Sequence, residues 1–83
     1  MVNNVKHKTD HILDLRGAIP PISLLKVTQA FREMKSDEIL EILGHDPDTR
    51  RDMFKVLPTL AYELIIMEDT EQGASFRVRM KKK

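Results

Sequence analysis

The groups best placed to do chemistry lie in one stretch, Leu13-Asp14-Leu15-Arg16-Gly17-Ala18-Ile19-Pro20-Pro21-Ile22-Ser23-Leu24-Leu25-Lys26. It reads as a short strand, a turn at Gly17 and a helix opened by proline. Such a junction aims the unpaired N–H groups and partial positive charge of a helix N-terminus outward, which favours an anion or a thiolate. The chain contains no cysteine, however. Pro20 and Pro21 also have no amide hydrogens to offer, so the junction lacks a nucleophile and two donors together. Ser23 falls in the first helical turn, but a nucleophilic serine needs an adjacent base and no histidine lies near it in sequence. A serine at that point assists the helix start instead. No catalytic residue is assigned.

His7 and His11 have the i,i+4 spacing that holds a metal on a helix, but the local pattern is arm followed by strand, so neither a metal nor a cofactor is expected. Arg16 and Lys26 flank the first junction, and Asp46 and Arg50 stand at the start of a second helix. In a βαβ unit these two starts share one end of the sheet, so the four residues could form a charged rim for a partner. Arg77 and Arg79 alternate with apolar residues on the last strand, and the basic tail at residues 81–83 extends that charge toward phosphate chemistry. With one Tyr and three Phe, mostly at core positions, the chain has few rings on which bases could stack.

Those residues must be held by a small fold. At 83 residues the chain makes one domain, able to bury about 60% of its unfolded surface without a metal or disulfide staple. Hydrophobic residues at 41% and charged residues at 33% fit a soluble globular protein, and a net charge of +1 gives no whole-molecule case for nucleic acid or an acidic membrane. No apolar run approaches the roughly 20 residues a bilayer span needs, and residues 1–10 are too polar for a signal peptide, so the cytoplasm is expected.

Residues 1–10 read as a solvated arm and residues 11–15 as the first strand, with Leu13 and Leu15 on one face. From Pro21, the spacing of Leu24, Val27, Phe31 and Met34 predicts an amphipathic helix ending near Lys35 or Ser36. Residues 38–44 form a buried strand stopped by Gly44. Asp46 then N-caps a second helix with Pro47 in its first turn, and Thr49, Met53, Val56 and Leu60 make the inward stripe. Pro58 should kink or end that helix about there, with an irregular last turn to Tyr62. Strands at residues 63–68 and 74–80, joined by a turn at 70–73, close the chain as a hairpin. The order βαβαββ, with right-handed crossovers, puts both helices on one side of the sheet and makes a two-layer α/β sandwich of the α+β kind.

The string L-D-L-R-G-x-x-(Cys)-P-x-(Pro)-L-L-K, carried here by Leu13 to Gly17, Pro21 and Leu24 to Lys26, resembles the signature of the TusA/SirA family of small cytoplasmic sulfur carriers. Asp46-Pro47 and Glu63-Leu64 fall at that family's spacing, so the likeness spans residues 11–80. It implies a mixed four-stranded sheet in the order 1-2-4-3 and protein partners of a sulfur relay serving tRNA thiolation. In the family one cysteine carries sulfur as a persulfide. This chain has Pro20 at that position, and Ser23 where the family has its second proline. The expected function is therefore a non-catalytic, protein-binding or regulatory relative. The alternative is a nucleic-acid-binding module using the basic last strand and tail. The uncovered sheet face offers a further surface, an apolar strip with Ile39 and Leu43 bordered by Glu41 and by Arg77 or Arg79, through which the chain is expected to self-associate or dock a partner.

Overall fold

A computed structural model describes residues 9–69 and 75–83. Strand β1 (His11–Asp14), helix α1 (Pro20–Glu33), strand β2 (Ile39–Gly44), helix α2 (Pro47–Val56), a 3-10 turn (Thr59–Ala61), strand β3 (Tyr62–Asp69) and strand β4 (Phe76–Lys82) follow in that order. The strands form one sheet ordered β1-β2-β4-β3. β1 runs parallel to β2, while β4 is antiparallel to both β2 and β3. Both helices pack over one face, and Val27, Phe31, Met34, Leu40, Ile42, Met53, Leu57, Val78 and Met80 bury their side chains between the layers.

Each element follows from its residues. α1 starts at the two prolines, whose fixed φ suits a first turn and whose missing N–H groups would be unpaired there in any case. β2 is buried along nearly its whole length, as a central strand rich in Ile and Leu should be. Gly44 ends it, and only a residue without Cβ fits there, because a Cβ would overlap the ring of Phe76. Gly17 adopts φ +91°, the left-handed conformation its turn requires.

Four expectations change. The inward row of α2 is Thr49, Met53 and Leu57, whereas Val56 is 45% and Leu60 88% exposed. The helix stops at Val56, the Leu57 N–H still bonds to the Met53 carbonyl, and Pro58 throws Leu60 outward on the 3-10 turn. α1 ends at Glu33, one turn's edge before the predicted stop. β4 runs on through Lys82, because Lys81 pairs with Ile39 and Lys82 with Tyr62, so the basic tail is mostly strand. Finally, a bulge in β3 between Leu64 and Ile66 breaks the simple alternation predicted for that strand. Residues 1–8 and the turn predicted at 70–73 lie outside the described residues.

Candidate functional site

Both helices begin at the same end of the sheet. There Leu15, Gly17, Ala18 and Ser23 from the first junction meet Gly44, His45, Asp46 and Thr49 from the second, with Phe76 beneath, around a cavity of about 30 Å³. That is room for one water molecule and for no substrate. Ser23 is 2% exposed, and its Oγ donates to the Ile19 carbonyl oxygen at 3.1 Å. The hydroxyl proton is thus held by the helix's own backbone rather than by the His45 or Asp46 side chains that share the cavity.

At the second junction the predicted cap forms. The Asp46 carboxylate accepts from the Asp48 N–H at 3.0 Å and from the Thr49 Oγ1 at 3.1 Å. Its acceptors are thereby engaged in starting α2. Arg50 pairs with Asp69 at the end of β3 and does not join the rim with Asp46. Lys26 is exposed on α1.

Arg16 is gripped by Asp14. The backbone N–H of Arg16 reaches Oδ1 at 3.0 Å, its Nε reaches Oδ1 at 2.8 Å and its terminal nitrogen reaches Oδ2 at 2.7 Å. These bonds, the side-chain ones first, hold the Asp14 carboxyl down from 3.8 to about 2, with a smaller attraction from His45. The same pairing pushes the Arg16 guanidinium above its ordinary value. Arg16, Leu43 and Arg77 line one groove of about 310 Å³ on the uncovered side of the sheet, together with Glu68, Asp69, Ser75 and Phe76.

The remaining predicted residues sit on that uncovered face. Ile39 is 5% exposed and Glu41 8%, so neither offers surface of its own. Arg79 Nε donates to Glu41 Oε1 at 2.6 Å across the middle of the sheet, and Arg77 lies 3.6 Å from Glu68. An ion pair therefore divides the apolar strip, leaving Ile12, 66% exposed, at its β1 edge. His11 turns to Glu38 at 2.9 Å, and its proposed companion His7 lies outside the described residues. Among the described residues no group of three metal-binding side chains converges.

Two apolar surfaces escaped the sequence reading. Ile19, Ile22 and Leu25, exposed at 58, 45 and 64%, line the outer side of the α1 start. Their three-residue spacing, offset from the core stripe, was the available signal. Phe54, Thr59, Tyr62, Leu64 and Met67 form a groove of about 390 Å³ between α2 and β3, which only the bulge brings together.

A two-layer sandwich with its site at paired helix starts defines the structural class. Within it the chain belongs to the TusA family, whose model, described as Sulfurtransferase TusA, matches residues 11–82. The chain is 30% identical over 77 residues to the sulfur carrier protein TusA of Pseudomonas aeruginosa strain LESB58, covering 93% of this chain and 95% of the relative. It is 31% identical over 74 residues to the sulfur carrier protein TusA of Pseudomonas putida strain F1, covering 89% and 90%. Against a putative sulfur carrier protein of Methanocaldococcus jannaschii the identity is 30% over 70 residues, covering 84% and 91%. No helix among the described residues is long and apolar enough to cross a membrane.

Proposed function

We propose that this chain is a non-catalytic, protein-binding member of the sulfur-carrier family, cytoplasmic like the family it resembles, which keeps the fold and a docking surface but passes on no sulfur. The observation that carries this reading is the helix start. Persulfide chemistry needs a thiolate, and the chain has no sulfhydryl anywhere. The position that the family signature gives to cysteine holds Pro20, in the first turn of α1 next to Pro21, where two amide donors are missing as well. Ser23 supplies no substitute, since its hydroxyl is buried and bonded to the Ile19 carbonyl.

What stays exposed at that end is suited to contact. Ile19, Ile22 and Leu25 present an apolar ridge beside the cations Arg16 and Lys26. A ridge of this kind on a family fold lets the chain occupy a partner of cysteine-bearing sulfur carriers. Nucleic-acid binding has less support, because Arg79 and Arg77 face Glu41 and Glu68, and the Lys82 Nζ donates to the carbonyls of Phe31 and Met34. Self-association through the uncovered sheet face also has less support, given the ion pair across its centre.

Competition tests the proposal. Sulfur transfer from a cysteine desulfurase to a cysteine-bearing TusA relative should slow when this chain is added in excess, and the Ile22→Glu/Leu25→Glu variant should lose that effect while keeping its circular dichroism. Transfer that is indifferent to a large excess of this chain would contradict a shared docking surface.

A further inference from the structure

We infer that the groove between α2 and the free edge of β3 binds an extended segment of a partner protein in which apolar and basic side chains alternate. This goes beyond the reading of the helix start and does not depend on the missing thiol.

Among the described residues β3 lies at the edge of the sheet and pairs with β4 alone, so the backbone groups on its other side have no strand partner there. An added strand can use them. The bulge then determines what such a strand would meet. Leu64 pairs with Met80, Ile66 with Arg79 and Met67 with Val78, so the extra residue Ile65 shifts the alternation by one position. In a regular strand Leu64 and Met67 would project from opposite faces. Here both share the helix side with Val78 and Met80, and with Phe54 and Tyr62 they wall the groove of about 390 Å³. Leu64 is 44% and Met67 52% exposed, and Leu60 on the neighbouring turn is 88% exposed. Such a cluster of large apolar groups on one rim marks a contact surface.

Charge chooses the occupant. β3 carries Glu63, Glu68 and Asp69 and no cation. Glu63 and Glu68 lie opposite Lys81 and Arg77, on the side away from the groove. A segment laid along β3 would therefore send alternate side chains into the apolar groove and the intervening ones toward these carboxylates. Apolar residues suit the first set and Lys or Arg the second. β4, whose sequence FRVRMKK has this alternation, already satisfies the inner edge of β3 in the same way. A second copy fits less well, since two antiparallel β3 edges would set acid against acid, with only Arg77 and Arg50 beside Glu68 and Asp69 to offset them. An anionic lipid surface is repelled for the same reason.

The test uses the intact chain and a labelled synthetic peptide alternating Val or Ile with Lys or Arg. Fluorescence anisotropy should show saturable binding, and NMR amide shifts should move at residues 62–69 and at Phe54. A scrambled peptide of the same composition, and one with Glu in place of each base, should bind at least about tenfold more weakly. Leu64→Glu/Met67→Glu should cost about the same factor, and Glu63→Lys, an exposed change that leaves the groove untouched, should weaken binding severalfold. Equal binding of the scrambled peptide, or shifts confined to other elements, would overturn the proposal. So would β3-dependent dimerisation in light scattering, or attachment to anionic vesicles abolished by the same variants.

Discussion

At the scale of single residues, the positions that match the family string hold one another in place. Asp14 and Arg16, both matching the family string, lock to each other through two side-chain bonds and one backbone bond. Because the folded carboxyl of Asp14 is depressed to about 2 from 3.8, folding is favoured by its ionised form. That contribution is fully present above the ordinary carboxylate range and is lost as pH falls from about 4 toward about 2. An NMR titration should place the Asp14 midpoint near 2 in the wild type and return it toward 3.8 in Arg16→Ala. An unchanged midpoint in the variant would mean that Arg16 is not the cause. Glu38 is lowered in the same sense, first by the Lys35 backbone N–H and then by His11, and it reinforces the acid side of the profile. Asp46 was legible from sequence as a cap, because an Asp-Pro pair before a polar helix has a local mechanism. The Asp14–Arg16 clasp was not, since a two-residue separation does not reveal which way either side chain turns.

At the scale of elements, local signals were readable and long-range ones were not. The core stripe of α1, the proline stop of α2 and the buried strand β2 all follow from nearby residues, and the sheet order came with the family resemblance. The bulge at Ile65 depends on the fit of β3 against β4, and alternation along Tyr62–Asp69 carries no sign of it. The choice of Leu57 over Val56 for the core likewise turned on where Pro58 stopped the helix. Lys82 is another long-range case. Its Nζ donates to the Phe31 carbonyl at 2.8 Å and the Met34 carbonyl at 2.9 Å, and stands 4.9 Å from the Phe31 ring centre. A residue that reads as basic tail therefore caps the C-terminus of α1, where the dipole and the last carbonyls call for a cation. Lys82→Met keeps the apolar stem and removes the donors, so it should cost about 1–2 kcal/mol in urea unfolding. A loss within error would show that solvent serves those carbonyls equally well.

At the scale of the whole molecule, the fold is carried by its core and not by the position where the family string has its cysteine. The sheet, both helices and the core need no sulfur chemistry, and they persist in a member of the family that has no cysteine. Two prolines at the start of α1 suit its first turn and leave out amide donors that a thiolate there would use. The most direct measurement is the intact mass of the protein after incubation with a cysteine desulfurase and cysteine without added thiol reductant, beside Pro20→Cys/Ser23→Pro treated identically. The wild type is expected to gain nothing and the double variant to gain one sulfur atom, released by excess thiol. A covalent gain of sulfur on the wild-type chain would contradict a non-catalytic role.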